Sequence, residues 1–271
     1  MNKILCSTGA IIGRPNGRDH RIMKMALKSL KSDGFELMLY DTWYDKLDEI
    51  VEFILENSFD IFTIHFDKKI GELLSRSEEG DYERAIELFK INCSVANKLN
   101  VKRVVLHLWG GPYSDRCFSN NLKAYPALAK IANEHGIELL IENIVCVSGS
   151  PMQRMVELYK AYPDIKFIFD TKMAQFHSEL ELLYDEKYAP IVDRIRHFHI
   201  NDYNGGYKEW EKFKTLHIGR GCVDFDRFFE FIKKIGYDGY FTVEGTSFNS
   251  DGTLDFDSLN KDFEYIGEKL K

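Results

Sequence analysis

The chain has 271 residues, of which 44% are hydrophobic and 29% are charged, so it is long enough to bury a large core. A net charge of −7 disfavours a general attraction to nucleic acid or to anionic membranes. The five cysteines are scattered and never spaced as Cys-x-x-Cys, which indicates neither a disulfide framework nor a thiolate zinc site. The N-terminal apolar run is too short for a signal peptide, and no window approaches the roughly 20 apolar residues of a membrane span. We therefore expect a cytoplasmic protein with no membrane partner.

Eight short apolar segments recur along the chain, separated by segments with helical periodicity. They are near-continuous runs of Val, Ile, Leu and Phe, as expected for parallel strands that are covered on both faces. The predicted strands are 3–8, 35–40, 60–65, 102–108, 137–142, 165–170, 195–200 and 239–244.

Capping residues mark several of the intervening helices. Asp81 and Asp224 each precede a stripe of apolar residues, and Ser150 followed by Pro151 fits an N-cap and a first helical residue. Gly236 ends the helix that Asp224 begins. No linker or low-complexity tract interrupts this alternation, so the sequence predicts one α/β domain, a (β/α)8 TIM barrel over residues 1–271.

An open doubly wound sheet is the alternative architecture. It would be favoured by a glycine fingerprint directly after the first strand. The residues there, Ser7-Thr8-Gly9-Ala10, do not supply one.

Six of the predicted strands end on a side chain that can bind a metal ion. In chain order these are His65, His107, Glu142, Asp170, His199 and Glu244. In a barrel the carboxyl ends of the strands share one face, so these side chains would converge. Taken singly, a strand-end histidine is usually an ordinary core or loop residue, and Glu142 or Asp170 could cap the next helix. Six such residues at one end favour a metal or catalytic site, since each is costly to bury unpaired.

The three carboxylates Glu142, Asp170 and Glu244, together with the imidazole of His199, suit one divalent ion such as Mn²⁺, Zn²⁺, Mg²⁺ or Co²⁺. His65 and His107, from neighbouring strands, could hold a second ion or contact substrate oxygens. No organic cofactor is expected, because a metal ion and two carboxylates can together move a proton on a carbon beside a carbonyl group.

The chain resembles the xylose isomerase-like barrel superfamily, which includes sugar isomerases and epimerases, inosose dehydratases and metal-dependent AP endonucleases. The resemblance covers essentially the whole chain. It depends on the order and spacing of Leu-His107-Leu-Trp-Gly-Gly, Ile-Glu142-Asn, Phe-Asp170-Thr, His197-Phe-His199-Ile-Asn-Asp202, Ile218-Gly219-Arg-Gly221-x-Val-Asp224-Phe and Val-Glu244-Gly.

By this resemblance, Glu142, Asp170, His199 and Glu244 match the shared metal ligands of the superfamily. His65 and His107 match two additional histidines of the endonuclease branch. In the epimerase branch the two ligand glutamates also form the acid/base pair, and that role falls on Glu142 and Glu244 here.

Three positions depart from the endonuclease branch. Met173, Thr215 and Phe213 stand where that branch has the protein ligands of its third zinc ion. His177 and His217 lie near the lost positions but out of register. Together with the acidic charge, these departures argue against cleavage of abasic DNA.

We therefore expect a metal-dependent isomerase or epimerase of carbohydrate metabolism, acting on a small sugar or related polyhydroxy carbonyl compound. The divalent ion would stabilise an enediolate while the two glutamates move the proton. A phosphoester hydrolase resembling the AP endonucleases, a dehydratase of the inosose type and a catalytically inert barrel remain as alternatives. Whether subunits form a homo-oligomer is left open.

Four further residues are candidates for substrate binding: Trp109, Lys172, His177 and Arg220. An aromatic wall such as Trp109 suits the apolar face of a sugar ring. Arg220 in Ile-Gly-Arg-Gly, and also Arg14 in the first loop, could receive a phosphate or carboxylate at backbone amides that the glycines make accessible. A Schiff-base role for Lys172 is disfavoured, because the residue lies beyond the end of its strand.

Overall fold

Eight parallel strands close into a barrel in the computed structural model, which describes residues 2–271. The strands are β1 (Lys3–Ser7), β2 (Gly34–Met38), β3 (Ile61–His65), β4 (Arg103–Leu106), β5 (Glu138–Glu142), β6 (Lys166–Asp170), β7 (Ile195–Ile200) and β8 (Tyr240–Val243). Each strand pairs with its neighbour in sequence, and β8 pairs with β1 in parallel, with Tyr240 opposite Lys3. The predicted (β/α)8 barrel is confirmed, and the open sheet is excluded because the ring has no free edge.

Ten α-helices lie between or after the strands within residues 2–271. They are α1 (Met23–Ser29), α2 (Leu47–Glu56), α3 (Lys69–Arg76), α4 (Asp81–Lys98), α5 (Phe118–Glu134), α6 (Pro151–Ala161), α7 (Thr171–Phe176), α8 (Ala189–Val192), α9 (Phe225–Lys234) and α10 (Phe256–Lys269). None of them is both long enough and apolar enough to cross a membrane.

Two of the three predicted N-terminal caps are present. The Ser150 hydroxyl accepts the N–H of Gln153 at 3.3 Å and the Asp224 carboxylate accepts the N–H of Arg227 at 3.0 Å. The prediction for Asp81 was wrong. Gly80 occupies the N-cap of α4, and the Asp81 carboxylate instead accepts from the Arg76 guanidinium.

The interior of the barrel is built in layers. Val105, Leu140 and Ile168 form a small apolar cluster that is separate from the main core between strands and helices. Because side chains two positions apart lie on the same face of a strand, the next layer toward the carboxyl ends contains His107, Glu142 and Asp170. The apolar layer therefore closes the floor beneath the polar one.

Gly71 of α3 lets this helix approach the end of β4. A Cβ atom added at Gly71 would overlap the carbonyl oxygen of His107, whereas one added at Gly267 of α10 would lie 3.8 Å from the Cδ1 atom of Ile4. We expect Gly71→Ala to lower the free energy of unfolding by about 1–3 kcal/mol, as overpacking does. Gly267→Ala is the control, and should raise it by up to about 1 kcal/mol because alanine favours helix. Urea unfolding measures both; equal effects would contradict the packing argument.

Candidate active site

The six predicted strand-end residues all lie at the carboxyl-terminal end of the barrel. Four of them, His65, Glu142, Asp170 and His199, are almost completely buried. Glu244 is the most accessible of the six, with 13% of its side chain exposed.

Glu142, Asp170 and His199 form the centre of the site. Each offers a ligand atom within 4.8 Å of the other two. The Nδ1 atom of His199 lies 3.2 Å from Oε1 of Glu142 and 3.5 Å from Oε1 of Glu244. The structure thus brings the four predicted ligands of the first ion together.

Asn201, directly after β7, links two of the carboxylates. Its side-chain amide donates to Oδ2 of Asp170 at 3.1 Å and to Oε2 of Glu244 at 2.9 Å. The other oxygen of Asp170 accepts the N–H of Met173 at 2.7 Å and so caps α7. Asp170 therefore caps a helix with one oxygen and faces the site with the other.

His65 and His107 meet the second oxygen of Glu142. Their Nε2 atoms lie 3.2 and 2.8 Å from Oε2 of that carboxylate. The Nδ1 atom of His65 is 2.9 Å from the carbonyl oxygen of Phe66, which can only accept, so Nδ1 carries the proton. In neutral His65, Nε2 would then direct a lone pair at a carboxylate. A proton or a metal ion between the two atoms removes this repulsion, and the donor set fits a divalent cation.

The charges of the site show the same need for a cation. Burial alone would lower the pKa of His199, but the carboxylates of Glu244, Glu36 and Glu142 raise it well above its usual range. Burial raises the pKa of Asp170 to about 6, with a further contribution from the neighbouring carboxylates and an opposing one from Lys172. Positive charge at the centre of the cluster therefore stabilises it, and a divalent ion would supply that charge.

Glu36 is a member of the cluster that the sequence analysis missed. It lies within β2 with none of its surface exposed, and its Oε1 atom is 2.9 Å from Nε2 of His199. The carboxylate lies off the N–H direction, so the contact is an ion pair and not a linear hydrogen bond. Glu36 and Glu142 thus face opposite nitrogens of the same imidazole. The available signal was a single charged residue inside an otherwise apolar strand.

A cavity of about 250 Å³ opens above the cluster. Glu142 and Glu244 both line it, as does His107. The remaining lining residues come mainly from the loops after β1, β2, β3, β6 and β7; they are Ser7, Gly9, Ile12, Gly13, Arg14, Arg18, Met38, Tyr40, Lys68, Lys172, Met173, Thr215 and Thr246.

Of the four predicted substrate-binding residues, Lys172 lines this cavity and the other three lie elsewhere. Trp109 is fully buried and donates to the carbonyl of Val145 at 3.3 Å. His177 is also buried, and its Nε2 atom accepts the N–H of Cys146 at 3.1 Å. Arg220 is exposed on the surface.

The glycine turn around Arg220 has no free amides for an anion. Asp202 accepts the N–H groups of Gly219 and Gly221 at 3.0 and 2.8 Å. His217, nearby, contacts Asp262 at 2.6 Å through Nδ1 and is not part of the metal-type cluster. The glycine turn thus stabilises the loop after β7.

Residues 25–262 match the family described as xylose isomerase-like TIM barrel. The chain belongs to this family. The resemblance found in the motifs is thereby confirmed, and the family's barrel is the one that the structure shows.

Two relatives show how far the similarity extends in sequence. An uncharacterized protein of Methanocaldococcus jannaschii is 27% identical over 186 residues, which are 65% of this chain and 61% of that protein. A ketose 3-epimerase of Arthrobacter globiformis is 27% identical over 139 residues, 48% of this chain and 42% of the enzyme. The matched segment thus spans less than two thirds of either relative.

Solved structures match the xylose isomerase-like barrel over nearly its full length. A D-tagatose 3-epimerase-like protein has a TM-score of 0.68 at 21% identity and covers 99% of this chain and 100% of its own. An L-ribulose 3-epimerase has a TM-score of 0.72 at 15% identity, with 100% and 95% covered. At these identities the likeness establishes the shared fold.

Proposed function

We propose that this xylose isomerase-like barrel is a metal-dependent isomerase or epimerase of a small sugar or related polyhydroxy carbonyl compound. The observation that supports it most directly is the meeting of Glu142 and Glu244 at one cavity, where Oε1 of each lies within 3.5 Å of Nδ1 of His199. Several relatives whose names describe sugar 3-epimerases support the same chemistry.

Glu142, Asp170, His199 and Glu244 would hold the divalent ion. When bound, the ion neutralises the negative charge that develops on substrate oxygens as a carbon-bound proton leaves. Asn201 bridges Asp170 and Glu244 by donating one N–H to each, which offsets the repulsion between the two carboxylates and fixes their positions at the site.

The two glutamates would move the proton. A carboxylate on one side of the carbon beside the carbonyl takes the proton, and a carboxylate on the other side returns it. Glu142 and Glu244 come from β5 and the end of β8, so they approach the cavity from different parts of the ring. Return to the opposite face gives epimerisation, and return to the neighbouring carbon gives isomerisation.

Incorporation of deuterium tests this function. Protein supplied with Mn²⁺ in deuterated water should exchange a proton at the carbon beside the carbonyl of ketoses such as D-fructose or D-tagatose, as followed by proton NMR. Removal of metal with a chelator should abolish the exchange, and added Mn²⁺ should restore it. Exchange that persists in metal-free protein, or its absence across a panel of neutral and anionic ketoses, would contradict the proposal.

The cluster of His65, His107 and Glu142 favours one alternative, a hydrolase with two metal ions. Metal analysis and release of inorganic phosphate from phosphoesters distinguish it from an epimerase. A dehydratase would begin with the same proton abstraction but would lose water, which the mass of the product reveals.

A further inference from the structure

Lys172 is a buried cation at the wall of the proposed active site. It lies in the first turn of α7 with 6% of its surface exposed, and its ammonium donates to the Thr215 hydroxyl at 2.7 Å. Among the described residues, no carboxylate oxygen lies within 4.0 Å of its Nζ atom. An ammonium has three N–H donors, so one neutral hydroxyl leaves most of its hydrogen-bonding capacity for a ligand.

Two further cations stand at the mouth of the same cavity. Arg14 follows β1 and Lys68 follows β3, and both side chains are exposed. Within residues 2–271 neither has a carboxylate oxygen within 4.0 Å. Arg18, a fourth cation of the cavity, differs from them because it pairs with Asp41 at 2.6 Å.

With a divalent ion bound, the carboxylates of the metal site do not fully neutralise these cations. Glu36, Glu142, Asp170 and Glu244 carry four negative charges when ionised, and a divalent ion offsets two of them. Arg14, Lys68 and Lys172 then exceed the remaining negative charge by one. A cavity with this surplus is electrostatically suited to an anion once the metal is bound.

The cations and the proposed acid/base residues share one cavity. Lys172, Lys68 and Arg14 line it together with Glu142 and Glu244. A ligand bound over the metal cluster would therefore lie beside these cations.

We propose that the substrate carries a phosphate or carboxylate group, and that Lys172, Lys68 and Arg14 bind it. The inference rests on the proposed function, since it assigns the class of ketose that the same cavity takes. A neutral sugar would leave the buried ammonium of Lys172 without an anionic partner in direct contact, which is unfavourable in a largely enclosed wall. An anionic group supplies both the charge and the acceptors.

Isothermal titration of the Mn²⁺-loaded protein with three ligands tests the proposal. D-Fructose 6-phosphate and 5-keto-D-gluconate carry a phosphate and a carboxylate, and D-fructose is the neutral reference. We expect at least one anionic ketose to bind roughly tenfold or more tightly than D-fructose. Comparison of the two anions identifies which acid group the cavity takes.

Lys172→Met keeps most of the unbranched, apolar part of the side chain and removes the charge, so it should reduce the preference for the anionic ketose by at least about tenfold. Lys68→Met, at the exposed mouth, should reduce it less and serves if Lys172→Met does not fold. Lys69→Met is the matched control, because this neighbour pairs with Glu72 at 2.9 Å and does not line the cavity. It should bind as the unmodified protein does.

Equal affinity for neutral and anionic ketoses would overturn the proposal, as would failure of both anions to bind. So would a preference that survives both Lys172→Met and Lys68→Met. The deuterium exchange assay is read separately. Exchange with a neutral ketose and no anion preference overturns this inference alone, whereas lysine-dependent anion binding without exchange for any ketose overturns the proposed function alone.

Discussion

Glu244→Gln is expected to reduce deuterium exchange and turnover by about 10³-fold or more while the barrel stays folded. Glutamine keeps the shape of the side chain and can still accept the amide N–H of Asn201, which donates to Oε2 of Glu244 at 2.9 Å. It cannot take or return a proton, and loss of a general acid or base costs about 10²–10⁴-fold. Loss of a carboxylate ligand adds to that effect.

The measurement is the exchange rate at saturating Mn²⁺, with melting temperature as the check on folding. Glu138→Gln is the matched control, since Glu138 lies at the opposite end of β5 from Glu142 and pairs with Arg103 and Lys166 at 2.8 and 2.7 Å. That variant should lose some stability and keep its exchange rate. A Glu244→Gln protein that turns over normally would refute the assignment.

The fold and the centre of the site could be predicted from the sequence for one physical reason. In a ring of parallel strands, each strand that ends on a polar residue places it on a shared face. Three such residues, Glu142, Asp170 and His199, are far apart in the chain, yet their ligand atoms lie within 4.8 Å of one another. The periodicity of the strands was sufficient to predict this convergence.

Contacts between distant strands, and contacts within long loops, could not be predicted from the sequence in this way. Glu36 lies in the middle of β2, so a search of strand ends passes over it. Its partner His199 is on β7, and no local pattern connects the two strands. Asp202 likewise binds the amides of Gly219 and Gly221, which sequence alone left available for an anion. The Glu36–His199 pair depends on how far the strands are staggered, and the Asp202 contacts depend on how the loop after β7 folds back on itself; composition and periodicity specify neither.

The cluster is an alternating network of acids and imidazoles. His199 contacts Glu36 through Nε2 and Glu142 through Nδ1, and Glu142 in turn contacts His107. A neutral imidazole donates at one nitrogen only. Nδ1 of His199 faces Glu142 and Glu244; if His199 bound a metal ion through Nδ1, its proton would reside on Nε2, where the negative charge of Glu36 would stabilise it. The carboxylate of Glu36 therefore favours the form of His199 that binds metal.

Glu36→Gln is accordingly expected to weaken binding of Mn²⁺ by about 10–100-fold, the usual effect of removing a carboxylate that orients a ligand histidine. Glutamine fits the same buried space, but the change removes one partner of the buried Glu36–His199 ion pair, which is generally destabilising. We therefore expect the melting temperature of the metal-free protein to fall, as it should in the control variant described next. Isothermal titration with Mn²⁺ gives the affinity, and calorimetry of the metal-free protein gives the stability.

Asp262→Asn provides the matched control for this variant. Asp262 is also a buried carboxylate paired with a histidine, His217, at 2.6 Å, but neither residue belongs to the metal-type cluster. Its loss should lower stability and leave Mn²⁺ affinity unchanged. If Glu36→Gln bound Mn²⁺ as tightly as the unmodified protein, or if Asp262→Asn weakened binding equally, Glu36 would have no specific role at the metal. If only Glu36→Gln lost Mn²⁺ affinity, metal affinity would depend on a residue that lies behind the ligands and does not itself bind the ion.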